Sequence, residues 1–208
     1  MKKLALTISL LLVAGLFSGV FAGSGDSPQS PPIGEAAPEF TLVNQNGEEV
    51  SLSDFRGSFV VLEWLNHDCP FVRKFYGAGE MQRLQRHYAE HDVVWLSIIS
   101  SREGEQGHLT QEQAREAMRA HNSAQHAILI DEPGNVGRAY NARTTPHMFV
   151  IDPDGILLYD GAIDSVPSAN PDTIAEAENY LVAALDAAMA GEPVAIPTTR
   201  PYGCSVKY

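Results

Sequence analysis

Apolar and polar positions alternate twice early in the chain, over residues 39–43 (EFTLV) and 49–52 (EVSL). Between them the run Asn44 to Gly47 ends in an Asn-Gly pair that accepts the positive φ of a tight turn, so the spacing predicts a hairpin. Residues 58–65 (SFVVLEWL) and 92–100 (DVVWLSIIS) are almost continuously apolar, the pattern of strands covered on both faces. A third, shorter run of this kind is 127–130 (AILI). Residues 147–151 and 156–159 read as two more strands joined by Asp152-Pro153-Asp154-Gly155, where Pro153 presets one φ and Gly155 tolerates a positive one.

Helical spacing fills the intervals. Residues 70–90 carry it, with Gly77 and Gly79 set to interrupt it. Thr110 and Gln113 form a capping box for a helix to about His121, and 134–140 reads as a short helix. In 171–190 the stripe Ile174, Ala177, Leu181, Ala184, Leu185 and Met189 predicts one helix that can cover a sheet. The last segment, 191–208, has three prolines and no periodicity and is expected to run extended over the surface. Hairpin, strand, helix, strand, helix, short strand and helix, then two strands and a helix is an alternating order. It calls for an α/β fold with a central mixed sheet between helical layers and an antiparallel edge. No internal repeat is present.

Ahead of this body lie two segments of different character. Residues 1–22 begin with Lys2 and Lys3, continue through an apolar stretch and end in Val20-Phe21-Ala22, which reads as a signal peptide cleaved after Ala22. The alternative is an uncleaved anchor over residues 4–22, through which alone the chain would touch a membrane. Residues 23–38 are rich in Gly, Ser and Pro and read as a linker, which leaves 39–190 as the domain and 191–208 as its tail. Export to a periplasmic or extracellular setting lets a disulfide persist. The chain has two cysteines, and the folded part is large enough to need no disulfide scaffold. A formal net charge of -12 opposes nucleic-acid and anionic-membrane partners.

The candidate chemistry centres on Cys69. It follows a predicted core strand and directly precedes Pro70, a residue favoured at the first helical position. A thiol there faces a helix N-terminus, whose amides and dipole favour the thiolate. The other reading is a buried structural cysteine.

Trp64, the run Cys69-Pro70-Phe71-Val72 after a core strand, and Thr145-Pro146 before the strand 147–151 resemble the redoxin, or alkyl hydroperoxide reductase/thiol-specific antioxidant (AhpC/TSA), group of the thioredoxin-like fold. Residues 33–42 (IGEAAPEFTL) and 52–57 (LSDFRG) are similar to that group's N-terminal signature. The resemblance covers about residues 33 to 190. It implies a thioredoxin-like domain in which Pro146 is a cis-proline facing Cys69, and in which Trp64, Pro70, Thr145 and Pro146 meet the substrate. The alternative for Pro146 is an ordinary trans proline at a strand start. Two departures stand out. Thioredoxins carry a second cysteine where this chain has Val72, and peroxiredoxins carry a Thr where it has Asn66, together with a late Arg for which Arg143 is a candidate stand-in.

Cys204 lies near the end of the proline-containing tail, where Gly203 permits close approach. Cys69 is therefore expected to attack a substrate disulfide or a small-molecule peroxide, and Cys204 to resolve the product, with an external thiol as reductant. The alternative is a static bridge in a non-catalytic binding module, since closing so long a loop stabilises by about 5 kcal/mol in the chain-entropy model. His67 is expected either to assist the thiolate as a cation or proton relay, or to be a solvated loop histidine. A copper-binding thioredoxin-like protein, with His67, Cys69, Cys204 and His147 as soft ligands, is a further alternative. Glu63 sits inside an apolar strand, where a carboxylate needs a partner or points to solvent at the strand end. The remaining histidines read as surface. No Gly-rich phosphate loop, G-x-S-x-G elbow or H-E-x-x-H helix occurs, so no cofactor or resident metal is expected.

Overall fold

The two early alternations pair as expected in the structure, a computed structural model that describes residues 29–208. Thr41–Asn44 (β1) runs antiparallel to Glu49–Ser51 (β2). The expected leader at 1–22 and the first part of the lead-in lie outside the described residues. The end of the lead-in belongs to the fold: the Gly34 and Ala37 amides donate to the carbonyls of Leu157 and Gly155.

Val60–Trp64 (β3) leads into Pro70–Gly77 (α1) and Glu80–Ala89 (α2), split where Gly79 takes φ 74°. Val94–Ile99 (β4) precedes Gln111–Ala120 (α3), whose capping box between Thr110 and Gln113 forms as the sequence predicts. Ala127–Ile130 (β5), Asn135–Ala139 (α4), Thr144–Thr145 (β6), His147–Ile151 (β7) and Leu157–Gly161 (β8) follow. Tyr180–Met189 (α5) and Cys204–Ser205 (β9) complete the order.

The single helix expected over 171–190 is not formed. Pro171–Ala175 is a 3-10 turn capped by Asn170, and α5 starts afresh at Asn179, whose side chain takes the Val182 amide at 3.0 Å. Asn179 competes for backbone hydrogen bonds and starts a helix instead of continuing one. The apolar stripe in the sequence runs across that break.

Seven strands lie in the order β2-β1-β5-β4-β3-β7-β8, with β3, β4 and β5 mutually parallel and hairpins closing both edges. Side chains along β3 alternate between two cores, as the two-residue period of a strand requires. Val61 joins Phe75, Met81, Leu84, Trp95 and Leu185 under α1, α2 and α5. Leu62 and Trp64 join Phe40, Ile98, Tyr140 and Phe149 on the other face. With both faces covered, the C-terminal end of β3 is fixed in place and carries the Asn66–Cys69 turn.

Candidate active site

Cys69 is the N-cap residue of α1, with Pro70 exposed at the first helical position. Its amide closes the preceding turn on the Asn66 carbonyl at 3.0 Å, and the Asn66 side chain takes the Asp68 amide at 2.9 Å. The Cys69 thiol donates to the Thr145 carbonyl at 3.0 Å, and the Thr145–Pro146 bond is cis, as the resemblance implied.

The tail covers this sulfur. β9 pairs antiparallel with β6, Cys204 opposite Thr145 and Ser205 opposite Thr144, and the Val206 amide donates to the Arg143 carbonyl. The Cys204 amide donates to Cys69 Sγ at 3.4 Å across 135 positions of sequence. Gly203 makes the approach possible: at its φ of 142°, a Cβ would overlap the Thr145 carbonyl. Both thiols are free; Cys69 is fully buried and Cys204 is partly exposed.

This strap is held on either side of Cys204. Before it, the Tyr202 hydroxyl donates to Asp164, which is paired with the buried Lys74 of α1 at 2.8 Å, and the Tyr202 ring meets Phe71 edge-on. After it, the Tyr208 hydroxyl donates to the Ala142 carbonyl at 2.6 Å, and its ring lies under Arg138.

The two thiols are electrostatically unequal. Burial pushes Cys69 up, but the Cys204 thiol and the Val72 and Cys204 amides outweigh it, and its pKa falls below the ordinary thiol value. Cys204 is pushed up to about 11, by burial first and then by Cys69 beside it.

Two expected roles are corrected. Trp64 is fully buried, with its indole N–H bonded to Ser100 Oγ at 3.0 Å and its ring packed on Tyr140 and Phe149, so it supports the site from the core and meets no substrate. His67 is not a cation: burial and the neighbouring His121 lower its pKa to about 3, and neither ring nitrogen has a partner. Its ring stacks on His121 at 4.1 Å. The solvated-loop reading fails for the same reason. His147 is bonded to Asp160 at 2.6 Å and accepts the Arg143 amide at 3.3 Å, and no group of three candidate metal ligands occurs among the described residues. This dyad buttresses the loop that carries Thr145, and the sequence held no signal for it.

Glu63 points inward rather than to solvent. Its Oε2 accepts from Trp95 at 2.9 Å, Ser97 at 3.0 Å and Tyr76 at 3.2 Å, and Oε1 has no partner. Burial outweighs those donors and raises its pKa to about 7.

A sequence model of the AhpC/TSA family matches residues 33–160. The chain is 30% identical over 125 residues to the thioredoxin-like protein YneN of Bacillus subtilis, covering 60% of this chain and 68% of that one. It is 27% identical over 148 residues to the thiol-disulfide oxidoreductase ResA of Geobacillus kaustophilus, covering 71% and 79%. A solved structure of an uncharacterized conserved protein from Geobacillus kaustophilus superposes with a TM-score of 0.70 at 28% identity, covering 85% of this chain and 92% of that one.

Proposed function

The chain belongs to the AhpC/TSA family and has the thioredoxin-like fold, and from that premise we propose that it is an exported thiol-disulfide oxidoreductase using Cys69 and Cys204. The observation that carries the reading is the Cys204 amide on Cys69 Sγ, which sets a second cysteine against the first although Val72 occupies the usual second position.

In the first step the Cys69 thiolate attacks one sulfur of a substrate disulfide. A Cys69–substrate bond forms, the substrate S–S bond breaks, and the other substrate sulfur leaves as thiolate and takes a proton. Cys204, deprotonated as it reacts, then attacks Cys69 Sγ. The mixed disulfide breaks, the substrate departs as a second thiol, and Cys69–Cys204 remains. Pro70 and the Thr145–Pro146 segment are the surfaces for substrate, reached when the strap lifts, because Thr145 is otherwise paired with Cys204. Export rests on the leader at residues 1–22 and predicts a mature chain beginning at Gly23, read by N-terminal sequencing.

Disulfide exchange is favoured over peroxide reduction by the partners of Cys69. They are Thr145 and Cys204 main-chain groups, Asn66 spends its side chain on the local turn, and the Arg143 side chain is exposed. The test is the reduction potential of the pair in thiol buffers, read by alkylation and mass spectrometry. A value of roughly -120 to -270 mV is expected for an exchange catalyst; a bridge still closed below about -300 mV would make it a structural staple. Peroxide consumption that disappears in Cys69→Ser would restore the peroxidase reading.

A further inference from the structure

The loop above Cys69 is held at Arg143 from two sides. The Arg143 carbonyl accepts the Val206 amide of the strap, and the Arg143 amide donates to Nδ1 of His147 at 3.3 Å. Two residues on, the Thr145 carbonyl accepts the Cys69 thiol, and Thr145 pairs with Cys204. The geometry over Cys69 and the seat of the strap thus both depend on where the Arg143 main chain stands. His147 is fully buried on β7, opposite Trp64 of β3, and its other nitrogen, Nε2, lies 2.6 Å from Asp160 Oδ1.

Those two bonds fix the tautomer. Nδ1 accepts an amide N–H, so it carries a lone pair, and the ring proton sits on Nε2 and is donated to Asp160. Burial keeps the imidazole pKa below its ordinary value against the pull of Asp160, so the ring stays neutral and Nδ1 stays an acceptor. Asp160 is itself buried on β8 and ties down the root of the tail: its amide donates to the Pro197 carbonyl and its carbonyl accepts the Thr199 amide, both at 3.1 Å. One residue therefore holds the root of the tail through its main chain and, through His147, the loop that seats the strap.

We propose that His147 is a positioning residue for the chemistry of Cys69: as a neutral ring oriented by Asp160, it sets the Arg143 main chain and so the place of Thr145 and of the strap over the sulfur. The inference rests on the reading of Cys69 as the reacting thiol. Both nitrogens of the ring are spent on these bonds, so His147 acts through the loop and not on the sulfur. A histidine that only filled the core would matter by its packing and by the carboxylate it pairs. A positioning histidine matters by its Nδ1 lone pair, and two substitutions separate these. Asn puts a carbonyl oxygen where Nδ1 lies and keeps an acceptor for Arg143, but it does not reach Asp160. Gln reaches Asp160 with an amide N–H, but leaves the Arg143 amide without its acceptor.

Stability and reactivity should therefore rank the two variants in opposite orders. In urea unfolding His147→Asn loses more than His147→Gln, because it leaves a buried carboxylate unpaired. The second measurement is alkylation of Cys69 by iodoacetamide in the reduced full-length chain, mapped by mass spectrometry. There His147→Asn should react near the wild-type rate and His147→Gln several-fold faster, since loss of one hydrogen bond lets the strap open more often. Reactivity that follows stability, with His147→Asn the fastest, overturns the proposal and leaves His147 a core residue; so does His147→Gln at the wild-type rate. The imidazole 15N shifts of the wild-type chain give a check that needs no variant: the proton is expected on Nε2, and a proton on Nδ1 overturns the proposal. Recovery of no Cys69–Cys204 peptide from the oxidised wild-type chain overturns the redox pair and, with it, the functional meaning of this role. The order of the iodoacetamide rates does not depend on that outcome, so the two failures are told apart.

Discussion

At the scale of single residues, the buried carboxyl of Glu63 governs how stability responds to pH. An unfolded chain ionises it near the ordinary carboxyl value of 4.5, whereas the folded chain holds it protonated to about 7. A folded-state pKa raised in this way gives a contribution that is complete below the unfolded value and is lost as pH rises through the folded one. Between pH 4 and 8 the loss amounts to about 3 kcal/mol. Urea unfolding of the reduced protein should therefore show a steeper decline in stability over this interval than Glu63→Gln, which keeps an acceptor for Trp95, Ser97 and Tyr76 and cannot ionise. Parallel profiles for the two proteins would show that Glu63 does not carry the effect. His67 has the opposite character: being neutral down to about pH 3, it should give no imidazole titration between pH 5 and 8 by NMR.

At the scale of elements, the strap is a two-residue strand whose place depends on its anchors. A hydrogen bond to a charged group is worth about 1.5–3 kcal/mol. Tyr202→Phe removes the one to Asp164, which keeps Lys74 and the Val166 amide as partners. Closure of Cys204 onto Cys69 then becomes less favourable, and the potential of the pair should rise by roughly 30–60 mV, taking 30 mV as about 1.4 kcal/mol for two electrons. An unchanged potential would mean that Tyr202 does not hold the strap. Gly203→Ala should act more severely, because its Cβ meets the Thr145 carbonyl; loss of the Cys69–Cys204 peptide after oxidation is the readout. The sequence made the central strands legible, since runs such as 58–65 and 92–100 are apolar on both faces, and the capping box at Thr110 fixed a helix start. It did not reveal β9, because two residues carry no periodicity and their partner lies about 60 positions away. Cys69, Cys204 and the cis Thr145–Pro146 bond were readable because a thiol before Pro70 and a short motif are local signals. The place of Trp64 was not, because a motif says which residue is present and not which face of β3 it occupies.

At the scale of the whole molecule, the reactivity of Cys69 is a compromise between access and ionisation. The groups that lower its pKa come from the strap, from α1 and from Thr145, so the strap helps to stabilise the thiolate it conceals. A chain ending at Arg200 separates the two effects, because it loses the cover and the Cys204 groups while keeping Thr199, which bonds Tyr159 and the Ala162 amide. Alkylation of Cys69 by iodoacetamide, followed from pH 5 to 10, should reach a plateau at least ten-fold higher in the shortened chain. Cys204→Ser in the full-length chain keeps the strap, so its plateau should stay low. An unfolded chain would give a high plateau with the midpoint of a free thiol, near 8.5, and far-UV circular dichroism identifies that case independently. Equal plateaus in the full-length and shortened chains would show that the strap does not limit access. The same contacts both shield Cys69 and stabilise its thiolate, so a substrate that lifts the strap relieves the burial that raises the pKa together with the Cys204 groups that lower it. The Val72 amide at the start of α1 and Thr145 then remain as sources of activation.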